Sequence, residues 1–262
     1  MSALSTFSAF YFGQTVTIDN RYVDFAESAT PRTAVIDVGS YSLTRYLEKV
    51  SQAMNEAGVN TYALTVDRET RIVTLTSDAA FDLLGTSGPN ASRSALTLLG
   101  LPIADQLAAT SVVGTSECGS EYITQFPLQS YLPTINNKRA GNATVTKSAS
   151  GNKVSVQTFG EERFMKADFK FMTNLNVAEM PRMRVNLTGE EDARTFFEYC
   201  ITKSPIEFME NYNDRETFET LMLEAFPNYP DGTGYELKEL YDIGLPHFYD
   251  TGVVSFRAIT ES

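Results

Sequence analysis

Cysteine, histidine and tryptophan are nearly missing from this chain of 262 residues, which contains two cysteines, one histidine and no tryptophan. The cysteines, Cys118 and Cys200, lie 82 positions apart and form no CxxC pattern. Disulfide scaffolds and structural zinc sites need several cysteine or histidine residues at close spacing, so neither is expected. We predict two free, buried thiols and neither a metal site nor a cofactor.

The single histidine limits the catalytic chemistry of the chain. A nucleophile, histidine and acid arrangement needs an imidazole unless a lysine or the N-terminal amine replaces it, and His247 lies in a segment typical of a loop. The consecutive acids at 190–192 would point to different faces of a helix, so they predict a solvated helix start. The glycine-rich stretches 85–90 and 231–234 lack the lysine of a P-loop and the GxGxxG spacing. The sequence therefore predicts a protein that is not an enzyme.

Long apolar runs and excess positive charge are also absent. No stretch approaches the roughly 18 apolar residues of a membrane-spanning helix, and the N-terminal segment lacks the basic and apolar regions of a signal peptide. Lysine and arginine total 21 against 33 aspartate and glutamate residues, a net charge of −12. This balance disfavours general binding to nucleic acid or to anionic membranes. We expect synthesis in the cytoplasm and partners that are neither nucleic acid nor membrane.

The charge is distributed unevenly along the chain. Residues 1–130 carry 7 basic and 13 acidic groups (net −6), residues 131–189 carry 9 and 4 (net +5), and residues 190–262 carry 5 and 16 (net −11). Unlike charges on facing surfaces steer association and fix its register. The basic middle and the acidic C-terminal part therefore favour self-association or docking onto a partner, although scattered solvated charge would give the same totals.

The first half of the chain contains strong local signals for secondary structure. Short runs of β-branched and aromatic residues over 10–38 are typical of strands. Six apolar residues then recur on one helical face: Leu43, Tyr46, Leu47, Val50, Met54 and Ala57. With Gly58 as a stop signal they predict a helix over about 42–57, and two alternating segments predict a hairpin over about 61–77.

The second half begins with a loss of periodicity. Residues 131–153 are rich in Ser, Thr, Asn and Gly, and predict a loop or linker at a domain boundary. Beyond it we expect strands, a helix that starts after the capping box at 188–191, a short strand in 204–212, a second helix that starts at 213–216, and a closing strand.

The predicted fold class is α+β. We expect two small mixed domains, 1–130 and 154–262, joined by 131–153, each a mainly antiparallel sheet or partial barrel with one or two packed helices. Four basic residues of the joining region are the candidate interface residues: Lys138, Arg139, Lys147 and Lys153. They have no interleaved aromatic residues for stacking nucleic-acid bases, so they favour an arm or docking loop that orders on meeting a partner.

Residues 35–101 contain a series of landmarks: Gly39, Tyr41, Ser42, Gly58, Phe81, Gly85, Asn90, Leu99 and Gly100. In order they mark a Gly-x-Tyr-Ser entry, an amphipathic helix that ends at glycine, a hairpin, a Phe-led Gly/Asn loop and a closing Leu-Gly. This series resembles a module of structural virion proteins from tailed bacteriophages. The C-terminal FGEERF, IEFMENY and TGVVSFR segments are similar in style to tail and baseplate components that build rings around the tail tube.

The resemblance implies a structural protein of the phage tail or baseplate, of the ripcord or sheath-initiator kind or at the tail tip. Implied partners are other tail and baseplate proteins and further copies of the chain in a three- or six-fold ring, in a virion assembled in the host cytoplasm. Two other functions stay open. One is a receptor- or carbohydrate-binding tip module that uses aromatic residues around Tyr241, Phe248 and Tyr249, and the other is a cell-wall-degrading enzyme that uses carboxylates.

Overall fold

The computed structural model describes residues 8–124, 138–147, 153–168, 193–202, 205–225, 238–239, 249–250 and 253–259. Within these ranges the chain combines helices with sheets in which every strand pair is antiparallel. The predicted α+β class is therefore confirmed. None of the helices in the same ranges is both long and apolar enough to cross a membrane.

The first helix, α1 (Leu43–Ala57), forms where the sequence predicts it. The Ser42 side chain accepts a hydrogen bond from the first turn, and the Gly58 N–H donates to the last turn, so both ends are capped. Six side chains of α1 are buried: Leu43, Tyr46, Leu47, Val50, Ala53 and Met54. They form the centre of the main apolar core.

A sheet of five strands lies against α1. Its strands are β3 (Tyr22–Glu27), β4 (Thr30–Val35), β6 (Tyr62–Val66), β7 (Val73–Leu83) and β8 (Gln106–Val113). The order is β4-β3-β7-β6, and β8 also pairs with β7. Strands β6 and β7 form the predicted hairpin, with a register that runs from Tyr62 opposite Ser77 to Val66 opposite Val73.

Short elements complete this part of the chain. Strands β2 (Gln14–Val16) and β5 (Gly39–Tyr41) pair with each other. A 3₁₀ turn (Ala91–Arg93) and a one-turn helix α2 (Leu96–Leu99) follow β7. Gly100 ends α2 with φ of 68°, a conformation that favours glycine because it has no Cβ.

A second sheet has seven strands and contains both the start and the end of the chain. Its strands, in spatial order, are β10 (Lys138–Lys147), β11 (Lys153–Asp168), β16 (Val253–Ala258), β13 (Glu219–Ala225), β12 (Ile206–Met209), β1 (Ser8–Phe12) and β9 (Ser120–Thr124). Strands β14 (Lys238–Glu239) and β15 (Tyr249–Asp250) form a separate pair. Helix α3 spans Ala193–Thr202, and the capping box proposed for it lies outside the described residues.

The seven-stranded sheet crosses the predicted domain boundary. Strands β1 and β9 belong to the segment 1–130, whereas their sheet neighbours β12, β13 and β16 belong to the segment 154–262. Strand β1 is an interior strand, because it pairs with β12 on one side and with β9 on the other. The boundary stays a prediction, but any division of the chain there has to account for a sheet that both segments share.

Two expectations about secondary structure were wrong. The helix predicted to start at 213–216 is instead strand β13, since Leu221 and its neighbours are paired on both sides by β12 and β16. The loop predicted over 131–153 contains strand β10, which pairs with β11 along its length. In both places pairing with a distant or adjacent strand overrides a weak local signal.

Candidate functional site

The four candidate interface residues all lie on one long pair of strands. Lys138 and Arg139 begin β10, Lys147 ends it, and Lys153 begins β11. The register places Lys147 directly opposite Lys153, and Arg139 opposite Arg163. The structure thus brings these residues together as two groups, one at the base and one at the far end of the same strand pair.

This strand pair extends past the rest of the sheet. Strand β16 pairs with β11 from Asp168 only as far as Phe164. The remainder of β11, Lys153–Arg163, pairs with β10 alone within the described ranges. We call residues 138–147 and 153–163 the ribbon. At a rise of about 3.3 Å per residue, the ribbon reaches about 33 Å beyond the last pairing with β16.

The ribbon differs in charge from the rest of the molecule. Its residues include five basic and two acidic side chains, a net charge of +3, in a chain with a net charge of −12. Both acids, Glu161 and Glu162, lie in the half nearest the base, so Lys147 and Lys153 are the charged residues of the distal half. The register also places Val145 opposite Val156.

A polar cleft of about 630 Å³ lies between two turns that are distant in the sequence. Residues 67–69, from the turn between β6 and β7, form one wall, and residues 212–216, between β12 and β13, form the other. Four acids line the cleft: Asp67, Glu69, Asp214 and Glu216. The two arginines that also line it, Arg68 and Arg215, are engaged in ion pairs beneath the surface.

The first of these ion pairs joins Arg68 to Glu207 on β12. One guanidinium nitrogen of Arg68 donates to Glu207 at 2.8 Å, and the other donates to the Thr44 hydroxyl at 2.7 Å. The Thr44 backbone N–H donates to the second Glu207 oxygen at 2.6 Å. The Arg68 guanidinium also stacks on the Phe218 ring at 4.0 Å. Glu207 is fully buried, so these contacts compensate a charge that water does not reach.

A second group of ion pairs centres on Glu121 in β9. Arg71 donates to one Glu121 oxygen at 3.0 Å, and Arg215 lies 3.2 Å from the other. Arg71 also pairs with Glu117. Arg215 donates to the Tyr11 hydroxyl at 2.6 Å, and that hydroxyl donates to the Arg68 carbonyl. These contacts connect β1, β9 and the two walls of the cleft.

We call these six charged residues the charge network: Arg68, Arg71, Glu117, Glu121, Glu207 and Arg215. Three positive and three negative groups balance each other. Burial raises the pKa of Glu121 above its ordinary value, and the guanidinium groups of Arg215 and Arg71 oppose that rise. Glu121 and Glu207 are 1% and 0% exposed, and both oxygens of each carboxylate contact donors or guanidinium groups. Because these two carboxylates lie on strands and the arginines on turns, the network joins strands to turns.

The charge network could not be predicted from the sequence as a whole. Residues 67–70 have the polar composition of an ordinary hairpin turn, yet Arg68 is 7% exposed. The most useful signal is Glu207, a single charge between Ile206 and Phe208 in a short apolar strand. A carboxylate at such a position is rarely buried unless a cation pairs with it, so it indicates an arginine or lysine nearby.

The two cysteines are free and buried, as predicted. Burial raises the pKa of the Cys118 thiol to about 12, and its S–H donates to the Leu98 carbonyl at 3.2 Å. Burial also raises the pKa of the Cys200 thiol. Both groups therefore stay protonated and unreactive at neutral pH.

Other residues singled out in the sequence lie outside the described residues. These are His247, the acids at 190–192, the glycine-rich stretch 231–234, and Tyr241 and Phe248 of the aromatic loop. Among the side chains that the structure does describe, no three His, Cys, Asp or Glu residues converge on a position suited to a metal ion.

No protein-family model matches the chain, and no curated protein matches it.

Proposed function

We propose that the protein is a structural component of a bacteriophage tail or baseplate, which connects tube, sheath or hub proteins through protein–protein interfaces and catalyses no reaction. The observation that carries this proposal is the ribbon. A two-stranded ribbon is marginally stable by itself in water, because it has no third strand or helix against which to pack. A ribbon of this length is therefore best explained as an arm that a neighbouring subunit covers.

The landmarks of the phage resemblance support the proposal through their positions in the fold. Ser42 and Gly58 cap the two ends of α1, and Gly100 ends α2. Phe81 lies in β7 and is buried against the Tyr62 ring at 5.2 Å. These four landmarks thus have structural roles in the first sheet and the helices beside it, which is the pattern expected of a module that serves as a scaffold.

The charge network joins the seven-stranded sheet to the first sheet. It ties β1, β9 and β12 of the seven-stranded sheet to the turn between β6 and β7. A buried network with every charge paired favours one arrangement of its strands over alternatives, because any shift leaves a charge uncompensated. This property suits a subunit that transmits load between neighbours. Glu121 and Glu207 are too enclosed to serve as a pair of catalytic acids.

The proposal is tested by co-expression with the tube, sheath and hub proteins of the same virion, followed by native mass spectrometry of the purified complexes. We expect a complex of defined mass that contains this chain. In a second chain, an Asn-Gly turn replaces residues 142–160 and joins Gly141 to its partner Glu161. We expect this shortened chain to lose the complex.

The matched control is Lys49→Glu in α1, which changes charge on a surface away from the ribbon. It should leave the complex intact. A wild-type chain that stays monomeric with all of these proteins, and that is absent from purified particles, would show that the proposed function is wrong.

A further inference from the structure

We propose that the distal half of the ribbon docks in the acidic cleft of a second copy of this chain. This inference rests on the proposed function, because it names the partner of the same arm. In the interface between two copies, Lys147 and Lys153 of one copy would contact the cleft walls at 67–69 and 212–216 of the other.

The sheet register places the ribbon and the cleft at the same end of the seven-stranded sheet. Phe164 is level with Arg257 of β16, which is level with Met222 of β13. Beyond this row, the ribbon extends past one end of the sheet. The cleft wall at 212–216 lies at the same end, because it is part of the connection from the last residue of β12 to the first residue of β13. The ribbon and the cleft thus face the same direction.

This geometry argues against the simplest alternative, which is that the ribbon neutralises the cleft of its own molecule. The cleft wall begins next to the end of the sheet, whereas the far end of the ribbon is about 33 Å beyond its last pairing with β16. A ribbon that keeps its register therefore carries Lys147 and Lys153 away from the cleft beside it. A second copy that approaches the same end of the sheet brings its own cleft within reach of these lysines.

The charges of the two surfaces are complementary. The distal ribbon contains two lysines and no acid, and the cleft contains four acids. The two arginines of the cleft do not cancel these acids, because Arg68 is paired with Glu207 and Arg215 with Glu121. A net negative cleft therefore remains for an incoming cation, and such pairing fixes the register of an interface.

Two of the four acids, Glu69 and Glu216, have no structural role that would conflict with docking. Asp67 accepts hydrogen bonds from the backbone of its own turn, and Asp214 accepts one from the Thr217 N–H, so these two stabilise the walls. Glu69 is exposed. Glu216 is 85% exposed, with only a 3.9 Å contact to Arg68. Glu69 and Glu216 are thus the acids best placed to meet the lysines of another copy.

Charge reversal of the two surfaces, separately and together, tests the inference. The ribbon variant is Lys147→Glu with Lys153→Glu, and the cleft variant is Glu69→Lys with Glu216→Lys. The dissociation constant of self-association is measured by analytical ultracentrifugation, with circular dichroism to verify the fold. We expect each variant to self-associate at least tenfold more weakly than the wild-type chain.

Mixing the two variants is the decisive step, because the reversed ribbon of one then matches the reversed cleft of the other. We expect the mixture to recover the wild-type mass. The matched control is Asp37→Lys with Glu56→Lys, which makes the same change in net charge as the cleft variant but at exposed acids elsewhere. It should associate like the wild-type chain.

Variants that associate as tightly as wild type, or a mixture that fails to recover the wild-type mass, would overturn the inference. If the wild-type chain still joins the tube, sheath or hub proteins in that case, the ribbon-to-cleft contact is wrong while the proposed function stands. If the wild-type chain associates neither with itself nor with those proteins, both are wrong.

Discussion

Among single residues, Glu207 joins three elements: β12, the turn between β6 and β7, and the first turn of α1. Its two oxygens contact Arg68 and the first turn of α1, and the side chain is fully buried. Glu207→Ala would leave the buried Arg68 guanidinium without its anion. Removal of one partner from a buried ion pair costs about 3–5 kcal/mol, so we expect the free energy of unfolding in urea to fall by about that amount.

Glu216→Ala is the matched control for this prediction, because Glu216 approaches the same arginine but is 85% exposed. Its loss should change the free energy of unfolding by less than about 0.5 kcal/mol. Similar effects of the two substitutions would show that the Arg68–Glu207 pair contributes little to stability.

Asp105 gives the fold a specific dependence on pH. Its carboxylate accepts hydrogen bonds from the Thr86 N–H at 2.7 Å, the Thr86 hydroxyl at 3.0 Å and the Ser87 N–H at 3.1 Å, which lower its pKa to about 2. Since the ordinary pKa of aspartate is about 3.9, this stabilisation is present at neutral pH and is lost as the pH falls from about 4 towards 2.

Asp105→Asn should therefore lower the urea midpoint at pH 7 and have a smaller effect at pH 2.5. The midpoints of both chains are compared by fluorescence or circular dichroism at the two pH values. The exposed Asp37→Asn serves as control and should leave the midpoint unchanged at pH 7. If Asp105→Asn lowered the urea midpoint equally at both pH values, the lowered pKa of Asp105 would not be the source of this pH dependence.

Among the elements, those with local signals could be predicted from the sequence. Helix α1 has an apolar face at helical spacing between a serine cap and a terminal glycine, and the β6–β7 hairpin alternates around a polar turn. Strand β13 was missed because Phe218, Leu221, Met222 and Ala225 also fit helical spacing. What decides its structure is pairing with β16, more than 30 positions away, which no local pattern contains.

The candidate site could be predicted from the sequence only in part. The basic residues at 138–153 marked the arm, since their charge contrasts with the rest of the chain. The cleft combines a turn near residue 68 with one near residue 215, so only the folded chain brings its walls together.

The ribbon should contribute little to the stability of the rest of the fold. In the described ranges its strands beyond Phe164 pair only with each other. Replacement of 142–160 by an Asn-Gly turn should shift the thermal midpoint by less than about 2 °C, the shift that a change of about 1 kcal/mol produces in a chain of this size. Circular dichroism melting curves measure this effect.

Phe10→Ala provides the contrast, because Phe10 lies fully buried in the interior strand β1 with Phe208 at 4.9 Å. Loss of such a ring costs about 3–5 kcal/mol. A ribbon deletion as damaging as Phe10→Ala would mean that the arm packs on its own molecule.

At the scale of the whole molecule, the shared sheet predicts cooperative unfolding. Strands from 1–130 and from 154–262 are hydrogen-bonded neighbours, and the charge network adds ion pairs between the same segments. We expect a single calorimetric transition with equal calorimetric and van't Hoff enthalpies. Two separate transitions would instead favour independent domains at the predicted boundary.

Strand β1 also sets the order of events during synthesis. It is translated well before its neighbour β12, which ends at Met209. At about 5–20 residues per second, the ribosome needs about 10–40 s to make the intervening chain. During that time Phe10 and Phe12 have no β12 to cover them, so the nascent chain presents an apolar strand edge to chaperones until β12 has been made and can pair with β1.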